Sequence, residues 1–399
     1  MRPILLVITL ILAVPPAAAQ PSRFEAPADL FYLHPLVNYS IPVRWQEAWE
    51  RHRMARGGLQ VTVGSISTKD LATRVRVEAT EPGGDHFRFL YRLDWTDSPH
   101  LDGPEQQNWL GIEVGNVATP WGRVGAEIVT NPTSDKSDID VVPAFVWTDA
   151  TRRDYLRLGW RRDDFVYGDK NDVGATLEEE ADGPTWMAHL ERGPWSVSSS
   201  GTVLSPSERR FPDRERSPDR VRLRQKRSWS SHALRHRSGR RVVELRFEHR
   251  DFERLEVAPA GTPASEDRRR DSRWRHLRLA WEEDLTPAWR VRAQLHRMHY
   301  DNEFETITHE RRETLGGVFV ERALGNGHWI DLGWMGTDYT WSTTPDSELY
   351  EADRDDFAAK VSIGWTLAFD DRGWFRALLS HEPDPQDFGG ASVLAQVRF

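Results

Sequence analysis

The chain has 399 residues, no cysteine, a formal net charge of -9 and 29% charged residues. Without cysteine there can be no disulfide, no thiolate metal site and no covalently attached c-type haem. The modest negative charge favours no particular partner and does not suggest nucleic acid.

The first twenty residues read as an export signal. Arg2 supplies a positive start and Ile4 to Val14 an apolar run. Pro15 and Pro16 break the run, and Ala17-Ala18-Ala19 gives the small-residue cleavage pattern before Gln20. The apolar run is too short to span a bilayer as a helix, which takes about 20 residues. Three regions are therefore expected: a leader over 1–19, a segment over 20–58, and a body over 59–399. Within the second, Val43 to Arg56 reads as a helix, with Trp45, Ala48, Trp49 and Met54 on one stripe and Gly57-Gly58 as its stop. It would be a periplasmic cap or a plug.

From Leu59 onward the pattern has period two. Leu59, Val61 and Val63 share a face. Val75 and Val77 alternate with Arg74, Arg76 and Glu78. After the Glu81-Pro82-Gly83-Gly84 turn, Phe87, Phe89, Tyr91, Leu93 and Trp95 alternate with Arg88, Arg92 and Asp94. Val291, Ala293 and Leu295 alternate with Arg290 and Arg292. Val361, Ile363, Trp365 and Leu367 alternate with Ser362, Gly364 and Thr366. A helix would need apolar residues three and four apart. A mean hydropathy of -0.64 does not exclude a membrane, because a spanning barrel alternates apolar-out with polar-in. Repeated inward arginines suit a wet interior better than a dry sandwich core.

Assigned backward from Phe399, the connections alternate in length. Short ones fall at Thr148–Arg152, Glu191–Pro194, Glu282–Ala288, Ala323–Gly327 and Asp370–Gly373. Long polar ones fall at Gly168–Gly183, Ser205–Arg220, Asp251–Asp271, Asp301–Arg311, Ser342–Asp355 and His381–Gly389. This is the habit of a transmembrane barrel, and the count comes to about 18 strands, with 16 as the alternative. The expected fold is all-β, an antiparallel up-and-down transmembrane barrel. Tryptophan numbers 18. Trp95, Trp109, Trp121, Trp147, Trp281, Trp289 and Trp374 fall near expected strand ends, as two interfacial girdles would require.

The chain closes on Gly389-Gly390-Ala391-Ser392-Val393-Leu394-Ala395-Gln396-Val397-Arg398-Phe399. This resembles the C-terminal signal of Gram-negative outer-membrane β-barrels, in which an aromatic residue ends the chain and alternate residues before it are apolar. Val393, Ala395, Val397 and Phe399 carry the match; the position two before the end, often aromatic, is Val397. The resemblance implies insertion by the barrel-assembly machinery into the outer membrane. It is a superfamily resemblance and names no solute.

No phosphate loop, nucleophile elbow, zinc-protease motif or calcium loop is present. His232 and His236 straddle an expected short turn, and His296 and His299 fall on opposite faces of a strand. No metal or cofactor is expected from these. The distinctive feature is arginine density, lysine being confined to Lys69, Lys136, Lys170, Lys226 and Lys360. Expected interior residues are Arg74, Arg76, Arg88, Arg92, Arg222, Arg224, Arg246, Arg278, Arg290 and Arg292, with Glu78, Asp94, Glu244 and Glu248 as balancing carboxylates. They would either bias an open pore toward anions or brace the wall as a network. Three functions stay open. One is a porin-like channel for small, anionic solutes. Another is a sheath around an internal protein such as a multihaem cytochrome. The third is an outer-membrane hydrolase, for which no serine, histidine and acid grouping can be placed. No enzymatic activity is expected.

Overall fold

The computed structural model describes nineteen strands between Gly58 and Arg398 and their shortest turns. Described side chains lie chiefly in 141–147, 154–162, 180–208, 224–255, 269–303, 307–338, 359–368 and 374–381. The expected leader, the helix over Val43–Arg56 and Phe399 lie outside the described residues.

The strands are β1 (Gly58–Ser65), β2 (Thr73–Pro82), β3 (Phe87–Asp97), β4 (Glu105–Thr119), β5 (Gly122–Pro132) and β6 (Lys136–Thr148). Then come β7 (Tyr155–Asp169), β8 (Thr176–Glu179), β9 (Asp182–Arg192), β10 (Trp195–Asp213), β11 (Ser217–Ser238) and β12 (Arg241–Val257). The last are β13 (Arg268–Thr286), β14 (Trp289–Phe304), β15 (Ile307–Gly325), β16 (His328–Thr344), β17 (Arg354–Ala368), β18 (Gly373–His381) and β19 (Gly390–Arg398). All belong to one antiparallel sheet of up-and-down order, each strand paired with its chain neighbours except β8, which pairs with β10 while β7 pairs with β9. β8 and β9 are one line interrupted at Glu180–Ala181, since both pair with β10. β1 pairs with β2 on one side and with β19 on the other.

The period-two pattern becomes two faces of opposite chemistry. On β14, Leu295 is 50% exposed, while Arg290, Arg292, Gln294 and His296 on the alternate face are 0–8% exposed. The register carries this contrast sideways: Leu245 lies opposite Leu279, and Leu279 opposite Leu295. Val318, Val320, Trp334, Ile363, Trp365 and Leu379 continue the exposed apolar band. A sheet whose second face met water would hide its apolar residues and wet its charges. Here the reverse holds, which is the arrangement lipid on one side favours. Trp147, Trp281 and Trp289 lie on the apolar face, half-buried, as a girdle requires. Trp374 does not. It is buried on the charged face with Ala323, Trp329 and Ala368, because its strand places Phe375, Ala377 and Leu379 on the other side.

Four short turns hold one rim. Gly193, Gly239, Asn326 and Gly327 have φ of 59°, 58°, 52° and 79°, the left-handed region that tight hairpins need to match strand twist. Neighbouring turns are stitched together: Arg237 N donates to Pro194 O at 2.7 Å, Asp284 N to Arg240 O at 3.0 Å, Ala323 N to Ala288 O at 2.8 Å, and Ala368 N to Gly327 O at 2.7 Å. The turn expected between His232 and His236 is instead Gly239-Arg240, and both histidines lie within β11. A Cβ on Gly327 would overlap the carbonyl oxygen of Ala368. Gly327→Val is therefore expected to lower stability by more than about 1 kcal/mol, read as a shifted midpoint in urea unfolding; an unchanged midpoint would show the rim to be loose.

At the opposite rim two of the expected long loops, Ser205–Arg220 and Asp301–Arg311, are largely strand. β10 runs to Asp213 and β11 resumes at Ser217; β14 runs to Phe304 and β15 resumes at Ile307. Their sequences hid this. Beyond the apolar band both faces carry polar residues, so the ladder continues after the alternation has vanished.

Candidate functional site on the charged face

The charged face of β12 to β18 carries several groups of paired charges. Arg290 Nε donates to Asp284 at 2.8 Å and lies 3.7 Å from Glu282. Arg290 Nη1 also approaches Glu321 at 3.8 Å, and Arg292 pairs with Glu321 directly. Further along, Arg376 Nη2 donates to Asp331 at 2.8 Å. Glu244 accepts from Arg278 and, at 3.2 Å, from Arg246 Nε. Arg278, Arg290, Arg292, Glu321, Asp331 and Arg376 are all buried. Charges this deep need opposite partners, since an uncompensated one costs several kcal/mol.

Small residues make room for these groups. Asp331 of β16 lies directly opposite Gly364 of β17. A Cβ on Gly364 would overlap the Asp331 carboxylate, so the glycine is the gap through which Asp331 crosses β17 to reach Arg376 on β18. In the same way Phe319 lies over Gly333. Phe319, Met298 and Leu315 form a second apolar cluster on this face, apart from that of Ala323, Trp329, Ala368 and Trp374.

A second line of hydrogen bonds crosses three strands. His276 Nδ1 meets Glu248 Oε2 at 2.9 Å, His276 Nε2 meets His296 Nδ1 at 2.7 Å, and His296 Nε2 meets Gln294 Oε1 at 3.2 Å. The two imidazoles stack with centroids 5.0 Å apart. With the amide placed this way, His296 donates to Gln294 and His276 donates to His296.

Of the expected interior residues, Arg246, Arg278, Arg290, Arg292, Glu244 and Glu248 share this face in register. In β2 and β3, positions 76 and 94 are opposite each other, as are 78 and 92, with 74 and 88 in the same phase. Traced through β1 and β19, these positions share the face of Arg376; their side chains lie outside the described ones. Arg222 and Arg224 are corrections. Their positions pair with Val257 and Leu255 of β12, in phase with Leu234 and Leu245, and so belong to the apolar face. Glu321, Asp331, Arg376 and His276 were missed. Each alternates with apolar residues: Val320 before Glu321, Ile330 and Leu332 around Asp331, Phe375 and Ala377 around Arg376, Leu277 after His276. That phase was the available signal.

Two other constellations fall short of a catalytic or metal centre. His189 Nδ1 meets Ser198 Oγ at 2.9 Å, but no carboxylate is bound to that imidazole among the described residues, so no triad forms. On the apolar face, His299, Asp301 and Glu310 could converge on a cation. As they stand, His299 Nε2 bridges Asp301 at 2.9 Å and Glu310 at 2.8 Å, and Arg312 Nε holds Glu310 at 2.5 Å. Burial raises the Glu310 pKa, but the bonds from His299 and Arg312 outweigh it and hold the carboxyl below its ordinary value.

No family model and no curated protein matches this chain. Solved structures do. OmpT, an outer membrane protein of Vibrio cholerae, is 10% identical with a TM-score of 0.40, covering 86% of this chain and 96% of its own. An anion-selective porin from Comamonas acidovorans is 9% identical with a TM-score of 0.36, covering 86% and 98%. CdiB from Acinetobacter baumannii is 7% identical with a TM-score of 0.44, covering 86% and 60%. At these identities and TM-scores the alignments transfer neither a residue role nor a solute.

Proposed function

We propose that this chain is an outer-membrane β-barrel that forms a channel for small polar solutes, anionic ones included. The observation that carries the proposal is the inversion of the two faces: exposed Leu, Val and Trp on one, buried and paired charges on the other. Pairing of β1 with β19 supports closure. With β8 and β9 sharing one line, the nineteen strands make eighteen spans, an even number that puts both ends on the periplasmic side. The short-turn rim would then be periplasmic and the long hairpins would project outward. Single-channel recording in planar bilayers tests this. Stepwise conductance with an anion-biased reversal potential is expected, and no conductance above background would sink the channel.

A further inference from the structure

Along the apolar face, one stretch of the band ends in exposed arginines on β13 and β14. Arg273 and Arg275 on β13 and Arg297 on β14 are exposed. Arg297 lies opposite Leu277, and Arg275 opposite His299. Arg275 and Arg297 are therefore diagonal neighbours at about 7–8 Å, and Arg273 stands two residues further along the same face.

Asp251 and Asp301 stand directly opposite Arg273 across β12 and β14, and each is held by a histidine rather than by the arginine. Asp251 pairs with His249 at 2.6 Å, Asp301 with His299 at 2.9 Å, and Glu310 with His299 at 2.8 Å and Arg312 at 2.5 Å. Neither a hydrogen bond nor an ion pair holds Arg273, Arg275 or Arg297 among the described residues. Immediately toward the short-turn rim lie Leu277, Leu279 and Leu295, all more than 40% exposed.

We propose that Arg273, Arg275 and Arg297 bind the phosphorylated headgroup of an anionic outer-leaflet lipid, with Leu277, Leu279 and Leu295 against its acyl chains. The inference rests on the reading above, that the apolar face meets lipid and the long hairpins project outward. Guanidinium forks match phosphate oxygens two at a time. Their spacing lets three long side chains converge on one headgroup. The leucines select the occupant: free phosphate has no use for an apolar wall below it, while an amphiphile uses both.

The test uses the full mature chain refolded into zwitterionic phosphatidylcholine vesicles. These carry either a bis-phosphorylated lipid A or the same lipid dephosphorylated. Retained lipid is measured by mass spectrometry, and the thermal unfolding midpoint by loss of the compact electrophoretic form. The wild type is expected to retain the phosphorylated lipid and to gain in midpoint only with it. The variant Arg273→Gln, Arg275→Gln, Arg297→Gln should insert equally well and bind about a hundredfold more weakly, at roughly a factor of five for each guanidinium near an anionic surface. Inorganic phosphate at matched concentration should not move the wild-type midpoint. Equal retention of both lipids, an unweakened triple variant, or a phosphate shift as large as the lipid's would overturn the site and leave the barrel reading standing. If the wild type does not insert at all, the barrel reading falls and takes the site with it.

Discussion

Replacing Glu321 with alanine is expected to destabilise the protein by about 3–5 kcal/mol, the usual cost of breaking a buried ion pair from one side. Glu321 is 1% exposed on β15 and Arg292 is 5% exposed beside it. Arg290 would survive the change, since Asp284 remains at 2.8 Å and Glu282 at 3.7 Å. Arg292 would be left charged and buried, with only Asp331 and Glu282 as weaker compensation. The loss should appear as a lower urea midpoint at unchanged slope. Removing the partner as well, as Glu321→Leu with Arg292→Met, should recover most of it, because an apolar pair of similar volume often matches a buried ion pair. A single-variant loss below about 1 kcal/mol, the range of solvated surface pairs, would mean that this face is wetter than its packing indicates.

Gly364→Val is expected to have an effect of similar size by a different route. Nothing polar is removed; the side chain fills the gap that Asp331 uses to reach Arg376. Both charges are then displaced inside a crowded wall, again about 3–5 kcal/mol. Gly316→Ala is the matched control. Its Cβ would meet Leu295 Cδ1 at 3.7 Å, an ordinary contact, and added strand propensity should make it neutral or slightly stabilising. A double-mutant cycle of Gly364→Ala with Asp331→Asn should be strongly non-additive, since both act on one interaction. Additive effects would show that Gly364 is needed only for backbone reasons.

The alternation over Val291–Leu295 and Val361–Leu367 was legible because lipid-facing apolar residues and charged ones take turns within a single strand. The same rule misplaced Arg222 and Arg224. There, Arg222 and Arg224 alternate with Val221 and Leu223, the same pattern that elsewhere marks lipid-facing and inward positions. Those positions stand above the apolar band, where neither face is obliged to be hydrophobic. Alternation no longer reports the face, and only the unbroken register down to Leu234 and Leu245 does. Phe319 hid Glu321 for the converse reason: an apolar residue on the charged face made Val318-Phe319-Val320 look continuous.

By itself, then, the sequence determined what is local. Period-two patterning makes strands with two unlike faces, and positive-φ residues such as Gly193, Gly239 and Gly327 make the tight turns. Which charges meet was decided only by the tertiary structure. Arg292 and Glu321 are 29 residues apart, and Asp331 and Arg376 are 45 apart with a whole strand between them. Ion pairs at that separation depend on register and on a glycine gap, and neither property belongs to any one segment of the chain.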